Sequence, residues 1–204
     1  MGQYFTNQSL NSNIVKHEVK ILNNNYCFNT DNGVFSKSKI DYGTRFLLET
    51  IAPLINRGKV LDVGCGYGVI GIVIAKCCSS VVDMIDINKR AVHLANMNCK
   101  LNNVDCNVFL SNVYENIHSK YDYIITNPPI RAGKKVVLDI LENASNYLEE
   151  NGSLFFVIRK NHGAKSIISD LEKIYGIHIL DKSNGFFVVE AKKRWLIDKN
   201  VYII

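Results

Sequence analysis

The tetrapeptide Asn127-Pro128-Pro129-Ile130 places a side-chain amide before two consecutive prolines, directly after the apolar segment Tyr121 to Thr126. The prolines end a strand, fix the backbone φ angle and contribute no N–H groups. Their rigid carbonyl groups, which strand pairing leaves unclaimed, and the amide oxygen of Asn127 can together accept both hydrogens of a planar NH₂ group. Accepting them frees the nitrogen lone pair, so Asn127, Pro128 and Pro129 are predicted to position an amine for attack. An ordinary loop is the alternative for the same residues.

A glycine-rich loop stands upstream of this tetrapeptide. The sequence Val60-Leu61-Asp62-Val63-Gly64-Cys65-Gly66-Tyr67-Gly68 follows an apolar strand and opens a helix. Its G-x-G-x-G spacing differs from the G-x-G-x-x-G of dinucleotide-binding proteins, and it lacks the Lys-Ser/Thr pair of a phosphate-binding loop. Without a phosphate to hold, the helix N-terminus can face the carboxylate of an amino acid. The loop therefore predicts a ligand site, although a tight strand-to-helix turn would use the same glycines.

Two further polar residues stand at the ends of predicted strands. Asp86 comes roughly 20 residues after the loop, where a carboxylate can accept both hydroxyls of a ribose. Its alternative role is to cap the next helix, which Asn88 could do equally well. Asn112, within Ser111-Asn112-Val113, can bind the exocyclic amine of an adenine through its carbonyl oxygen, or it is a plain turn residue. The ligand predicted by these positions contains an amino acid, a ribose and an adenine.

Apolar periodicity indicates how these residues are positioned. Strand and helix patterns alternate from Lys59 onward, which predicts a parallel sheet with helices on both faces, ending in an antiparallel hairpin at the sheet edge. The predicted strands are 59–63, 81–85, 107–110, 121–126, 153–158, 177–181 and 186–191, preceded by β-like runs at 17–22 and 25–30. The predicted helices are 44–55, 67–78, 88–101, 134–150 and 163–175. The sequence is interpreted as one domain.

The ordered motifs carry a family resemblance. Residues 62–68, Asp86 and residues 127–130 resemble the class I S-adenosylmethionine-dependent methyltransferases of the "methyltransferase small" family. The upstream segment, residues 33–44, is similar to that family through Gly33 to Ser36 and Asp41 to Thr44, and the similarity continues to about residue 193. The resemblance implies a Rossmann-like α/β fold with a mostly parallel seven-stranded sheet, an enzyme, and S-adenosylmethionine as its cofactor without a metal. It also implies a methyltransferase domain over 25–193, an N-terminal extension over 1–24 and a C-terminal tail over 194–204.

The same resemblance assigns roles to individual residues. Asn127, Pro128 and Pro129 hold the target amine, and Ile130, Arg131 and Lys134 meet the substrate. The donor-binding set comprises residues of the glycine loop, the strand ends and the upstream segment: Asp62, Gly64, Gly66, Gly68, Asp86, Ile87, Asn112, Val113, Phe35, Gly43 and Thr44. Many amine methyltransferases have an aromatic residue where Ile130 stands, and Phe35, Tyr114 and Phe187 are candidates for stacking on the base instead.

The best-known members of this family methylate guanine N2 in small-subunit ribosomal RNA. The resemblance therefore implies transfer of a methyl group to an exocyclic amine of RNA. A protein amide, an adenine N6 of DNA, and a catalytically inactive RNA-binding module are the alternatives. Ribosomal RNA enzymes of this type often carry a second, degenerate copy of the domain, and this chain does not, so RNA would dock on the single domain or on a dimer.

Composition and charge limit the partners and the cellular environment that the sequence predicts. The chain has 204 residues and a formal net charge of +5, which is compatible with a phosphate-rich partner. Arg131, Lys134 and Lys135 follow the reactive tetrapeptide and are expected to face RNA, or else merely water, and a second basic cluster spans 192–195. Six cysteines without a C-x-x-C pair and five scattered histidines favour reduced thiols in a cytoplasmic protein without a zinc site. Neither a signal peptide nor a membrane span is expected, and the oligomeric state is monomer or homodimer.

Overall fold

A seven-stranded, mostly parallel sheet forms the centre of the protein, and the computed structural model describes residues 11–193. The strands in that range are β1 (Val15–Ile21), β2 (Asn24–Thr30), β3 (Lys59–Val63), β4 (Val81–Asp86), β5 (Asn107–Leu110), β6 (Tyr121–Thr126), β7 (Leu148–Arg159), β8 (Tyr175–Ser183) and β9 (Phe186–Lys193). The helices are α1 (Tyr42–Ile51), α2 (Val69–Cys78), α3 (Lys89–Leu101), α4 (Lys134–Tyr147) and α5 (Ala164–Leu171).

The order of the strands creates a crevice at one edge of the sheet. The seven strands lie in the order β5-β4-β3-β6-β7-β9-β8, and strands β3 to β7 run parallel to one another. Strand β4 lies on one side of β3 and β6 on the other, so the direction of winding reverses between them. In open α/β sheets ligands bind outside the carboxyl ends of the strands at this reversal. The predicted fold class is confirmed.

The C-terminal hairpin closes the sheet at the other side. Strand β9 pairs antiparallel with both β7 and β8, as the sequence predicted. The turn consists of Asn184 and Gly185, whose φ angles are 48° and 77°. Positive φ at both positions matches the twist of a two-residue hairpin and favours this Asn-Gly pair.

Helices cover both faces of the sheet and bury two apolar layers. The first layer packs α1, α2 and α3 against alternate residues of the sheet, including Val60 and Met84. The second packs α4 and α5 against the opposite set, including Leu61 and Ile124. Leu154 to Ile158 of β7 are all buried, because both faces of this central strand are covered.

Several predicted boundaries were wrong, and local chemistry explains the largest shifts. The first helix begins at Tyr42 rather than Thr44, because Asp41 is its N-cap and accepts a hydrogen bond from the Thr44 N–H. It ends at Ile51, and Pro53 lies in a following 3-10 turn. The second helix begins at Val69 rather than Tyr67, because Gly66 and Gly68 have positive φ angles.

Corrections also apply to the C-terminal half. Helix α4 ends at Tyr147 rather than Glu150, and β7 begins at once with Leu148, which pairs with Tyr121. Helix α5 spans 164–171 rather than 163–175, since β8 starts already at Tyr175. Both hairpin strands are longer than predicted because their pairing extends along almost the whole length of β9.

A separate N-terminal hairpin packs beside α3. Strands β1 and β2 pair antiparallel from Val15 to Thr30. Asn102 exchanges two hydrogen bonds with the backbone of Cys27, at 2.9 and 2.7 Å, and Asn98 does the same with Asn29, at 2.7 and 3.0 Å. The side-chain amides of Asn98 and Asn102 thus bond to the backbone of β2 as a neighbouring strand would. The predicted domain boundary after residue 24 falls inside this hairpin, and the predicted tail at 194–204 lies outside the described residues.

Within residues 11–193, every helix is too short or too polar to span a bilayer.

Candidate active site

The carboxyl ends of β3 and β4 form one wall of the crevice. The backbone N–H groups of Gly64 and Cys65 both donate to the Ile85 carbonyl oxygen at 2.9 Å, which fixes the start of the glycine loop on the neighbouring strand. The Gly66 N–H then donates to Asp86 Oδ2 at 2.8 Å. The glycine loop and Asp86, separate in the sequence, are therefore one hydrogen-bonded unit.

Asp86 is oriented by a second hydrogen bond. Its Oδ1 accepts from the Asn88 N–H at 2.8 Å, so each carboxylate oxygen holds one backbone N–H and keeps further lone-pair capacity. The cap of α3 is Asn88, whose side chain accepts from the Arg90 N–H. Asn88 therefore fills the capping role that was the alternative for Asp86. Burial raises the pKa of Asp86, and the N–H groups of Asn88 and Gly66 oppose this effect.

Glycine is favoured at the three loop positions for different physical reasons. Gly64 and Gly66 have φ angles of 71° and 57°, and a Cβ at either position would meet no atom within 4 Å. The space above these two residues is open. Gly68 has a φ angle of 94° and lies against α3, where a Cβ would come within 3.2 Å of Ala95 Cβ. Gly64 and Gly66 therefore form a cradle, and Gly68 allows the helix to pack.

Asp62 supports the loop from beneath. It is fully buried, and its Oδ2 accepts from the Gly71 N–H at 2.9 Å. Helix α2 has Gly68 as its N-cap and so lacks a side-chain cap of its own. The Asp62 carboxyl group on the preceding strand supplies that acceptor. Burial raises the pKa of Asp62 to about 7, with a smaller contribution from the negative charge of Asp86. Its Oδ1 atom is buried and has no hydrogen-bond partner among residues 11–193.

Asn127 lies at the carboxyl end of β6, beside this loop. Its Nδ2 donates to Thr44 Oγ1 at 2.9 Å and to Asp41 Oδ2 at 3.2 Å. A carboxylate can only accept hydrogen bonds, so the NH₂ end of the Asn127 amide must face Asp41. Both hydrogens of the amide nitrogen are used in this way, and no group within residues 11–193 donates a hydrogen bond to Asn127 Oδ1. Thr44 is predicted from the sequence to contact S-adenosylmethionine, whereas Asp41 has no predicted role.

The carbonyl groups of the two prolines take part in a local turn. Pro128 is buried, and its carbonyl oxygen accepts from the Ile130 N–H at 2.9 Å. The Pro129 carbonyl oxygen accepts from the Ala132 N–H, also at 2.9 Å. Strand pairing leaves both carbonyl groups unclaimed, and it is the 3-10 turn beginning at Ile130 that engages them. Each carbonyl oxygen retains a second lone pair, and the turn makes the segment rigid.

The upstream segment is fastened to the wall formed by the carboxyl ends of β3 and β4, which we call the donor wall. Asn88 Nδ2 donates to the Gly33 carbonyl oxygen at 3.0 Å, and Arg90 pairs with Asp31 at 3.2 Å. Phe35, which is 48% exposed, lies in this segment, and the carbonyl oxygen of the next residue, Ser36, accepts from the Tyr67 hydroxyl group at 3.5 Å. Gly43 is buried against Phe186, where a Cβ would lie 2.9 Å from the ring.

The remaining donor-binding candidates lie on exposed turns. Ile87 is 38% exposed directly after Asp86. Asn112 is exposed, and its Nδ2 donates to Glu115 Oε1 at 2.7 Å, which leaves Asn112 Oδ1 outside that bond. Val113 has a φ angle of 49°, an unusual value for a β-branched residue. Asn112 and Val113 line a polar cleft between this turn and α4.

The predicted substrate residues differ in availability. Arg131 is exposed, whereas the Lys134 ammonium lies 2.8 Å from Asp170 Oδ2 and 2.7 Å from Ser166 Oγ. Ile130 packs partly buried against the second apolar layer. Among the aromatic candidates, Tyr114 is buried and donates its hydroxyl hydrogen to the Ile140 carbonyl oxygen, so it cannot stack on a base.

Two other aromatic candidates and the second basic cluster occupy distinct positions. Phe187 is partly buried beneath the Lys182 ammonium, and Phe35 is the more exposed ring. Lys192 pairs with Glu190 and lies opposite Ser153, at the sheet edge away from Asn127. Residues 194 and 195 of that cluster lie outside the described residues.

The fold and the crevice define a class of protein. A sheet whose winding reverses beside a glycine cradle, followed by a strand-end carboxylate and an Asn-Pro-Pro turn, is typical of Rossmann-like class I methyltransferases. The chain belongs to the family of methyltransferase small domains, whose sequence profile matches residues 25–190. The predicted family and enzyme class are confirmed.

Individual relatives narrow the comparison. The chain is 38% identical over 195 residues to the uncharacterised protein YbxB of Bacillus subtilis (strain 168), covering 93% of this chain and 97% of that one. It is 38% identical over 167 residues to ribosomal RNA small subunit methyltransferase C of Aliivibrio fischeri (strain ATCC 700601 / ES114), covering 79% and 48% of the two chains. The chain thus spans about half the length of that RNA methyltransferase.

A solved structure is also similar to this chain in its fold. The T. thermophilus 16S rRNA N2 G1207 methyltransferase (RsmC), in complex with AdoMet and guanosine, superposes on this chain with a TM-score of 0.82 at 25% identity. The match covers 92% of this chain and 52% of that one.

Proposed function

We propose that this protein transfers a methyl group from S-adenosylmethionine to the exocyclic N2 amine of a guanine in small-subunit ribosomal RNA. The observation that carries the proposal is the anchored Asn127 amide, whose nitrogen is held by Asp41 and Thr44 and whose oxygen accepts no hydrogen bond from the described part of the chain. S-adenosylmethionine is the methyl donor of this enzyme class. The choice of guanine and of ribosomal RNA is supported by the names of the relatives.

The donor wall fits this ligand. The cradle at Gly64 and Gly66 would receive the methionine part, where the absence of Cβ atoms leaves room. Asp86, already oriented by two N–H groups, would accept the ribose hydroxyls, and Asn112 Oδ1 would accept from the adenine amine. When bound, S-adenosylmethionine supplies a methyl carbon bonded to a positively charged sulfur.

The opposite wall, which we call the acceptor wall, consists of Asn127 and Pro128 with Asp41 and Thr44. It would position the amine that attacks the methyl carbon. Asn127 Oδ1 and the second lone pair of the Pro128 carbonyl oxygen would each accept one hydrogen of the NH₂ group. The nitrogen lone pair is thereby withdrawn from conjugation with the ring and aimed at the methyl carbon. Asn127 Oδ1 and the Pro128 carbonyl oxygen would hold the amine while the N–C bond forms and the C–S bond breaks with its electrons remaining on sulfur, and one N–H proton would pass to water.

The test is methyl transfer from labelled S-adenosylmethionine to total RNA, DNA and protein in parallel, followed by mass analysis of the digested nucleosides. Ribosomal RNA stripped of protein and intact small subunits are offered separately. The expected product is N2-methylguanosine in small-subunit RNA. Label confined to protein or to DNA would instead favour an amide or an adenine N6 acceptor.

A further inference from the structure

Cationic and aromatic side chains meet at the tip of the β8–β9 hairpin. Arg159, the last residue of β7, pairs in register with Phe186, the first residue of β9. The Lys160 N–H donates to the Gly185 carbonyl oxygen at 2.8 Å, which ties the end of β7 to the hairpin turn. Because β7 is parallel to β6, this tip lies at the same sheet edge as Asn127.

Each face of the tip carries a cation over a ring. The guanidinium carbon of Arg159 lies 4.9 Å from the centroid of Phe186, and the Lys182 ammonium lies 5.4 Å from the centroid of Phe187. Neighbouring residues of a strand point to opposite faces, and the two rings accordingly pack against different apolar layers. The cations are thus held at the rim, above both faces of the sheet.

The tip is continuous with the acceptor wall. The ring of Tyr42 lies 5.5 Å from that of Phe186, and its hydroxyl group donates to Ser183 Oγ at 2.8 Å. Tyr42 is the first residue of α1 and lies between Asp41 and Gly43. The segment that anchors Asn127 therefore also contacts the hairpin.

The charges at the tip are not neutralised. Among the described residues, Arg159, Lys160 and Lys182 are exposed and form no ion pair, whereas Lys134 is paired with Asp170. Asp181 is the neighbouring carboxylate, and its Oδ1 accepts from the backbone N–H of Lys182. Proteins bind single-stranded nucleic acids through unpaired cations beside partly exposed aromatic rings.

We propose that the hairpin-tip patch, formed by Tyr42, Arg159, Lys160, Lys182, Phe186 and Phe187, is the docking surface for single-stranded RNA next to the target nucleotide. The cations hold phosphates, while the 40% exposed ring of Tyr42 and the guanidinium plane of Arg159 stack on flanking bases. An unpaired strand fits because the target amine must leave any base stack to reach Asn127. This inference rests on the proposed function and names where its substrate docks.

Two variants with equal loss of charge test the docking surface. The patch variant carries Arg159→Gln, Lys160→Gln and Lys182→Gln. The control variant carries Arg57→Gln, Lys100→Gln and Lys120→Gln, exposed residues that precede β3 or β6 or end α3, at the opposite sheet edge. The dissociation constant for a short single-stranded RNA containing one guanosine is measured as a function of salt concentration. Thermal melting and donor affinity check that both variants are folded.

The patch variant is expected to bind RNA at least about tenfold more weakly, with a salt slope lower by ~2, because each phosphate contact on a single strand contributes ~0.7. The control variant is expected to match the wild type. Equal affinity and equal slope in the two variants would overturn the docking surface, while methylation of RNA by the wild type would leave the proposed function intact. A wild type that methylates a different acceptor and does not bind RNA would overturn both.

Discussion

The two walls of the crevice are built by different kinds of contact. On the donor wall, backbone N–H groups of the glycine loop meet Ile85 and Asp86 of the adjacent strand. On the acceptor wall, Asn127 depends on Asp41 and Thr44, which lie 86 and 83 residues away in the sequence. The donor wall is thus specified by local backbone geometry, and the acceptor wall by tertiary contacts between side chains. Substitutions on the two walls should therefore separate donor binding from methyl transfer.

The largest separation is expected for Asn127→Ala. Removal of the amide oxygen eliminates an acceptor that acts on the reacting NH₂ group, and the transfer rate should fall by about 10²–10³-fold. Donor affinity, measured by calorimetry, should remain that of the wild type. Asn151→Ala, an exposed residue near the opposite sheet edge, is the matched control. Transfer at the wild-type rate in Asn127→Ala would remove this residue from the mechanism.

The converse separation is expected for Asp86→Ala. The substitution removes the carboxylate that holds the Gly66 N–H and is aimed at the ribose. Donor binding should weaken by ~1–3 kcal/mol, the scale of a lost charged hydrogen bond. Calorimetry with S-adenosylmethionine measures this directly. Unchanged donor affinity would contradict the role of Asp86 on the donor wall.

The buried Asp62 should make the stability of the donor wall depend on pH. Its pKa is about 7 in the folded protein and lower in the unfolded chain, so the folded state binds the proton more tightly. The contribution of Asp62 to the free energy of unfolding therefore decreases as pH rises towards 7, by up to ~1.4 kcal/mol per pH unit. Denaturant titrations at several pH values should show a smaller decrease in Asp62→Asn. Parallel pH profiles for the two proteins would argue against a raised pKa.

A smaller effect distinguishes the two roles of Asp41. Serine caps helices about as well as aspartate, but its side chain is too short to reach Asn127. Asp41→Ser should therefore keep the melting temperature while slowing transfer by about tenfold, the equivalent of one hydrogen bond. Asp41→Asn, which keeps the length of the side chain, is the companion variant. If Asp41→Ser transferred as fast as the wild type, Thr44 alone would suffice to orient the amide.

The sequence predicted the parts of the molecule that depend on local patterns. Periodicity and glycine spacing located the central strands, the loop at Gly64 to Gly68 and the carboxylate of Asp86, because each is read from a few neighbouring residues. The contact between Asp41 and Asn127 could not be predicted in this way, although an aspartate three residues before Thr44 is a capping signal. The sequence likewise predicted that Lys134 faces RNA or water, because nothing near α4 in the sequence indicates its ion pair with Asp170. Contacts between distant elements appear only when the chain is folded.

The central claim is that the Asn127 oxygen, not its nitrogen, faces the target amine. A crystal structure of the protein with S-adenosylhomocysteine and guanosine tests this most directly. We expect guanine N2 within hydrogen-bond distance of Asn127 Oδ1, with Asn127 Nδ2 still bound to Asp41 and Thr44. A guanine whose N2 lies away from Asn127, or an amide turned so that Nδ2 faces the base, would contradict it.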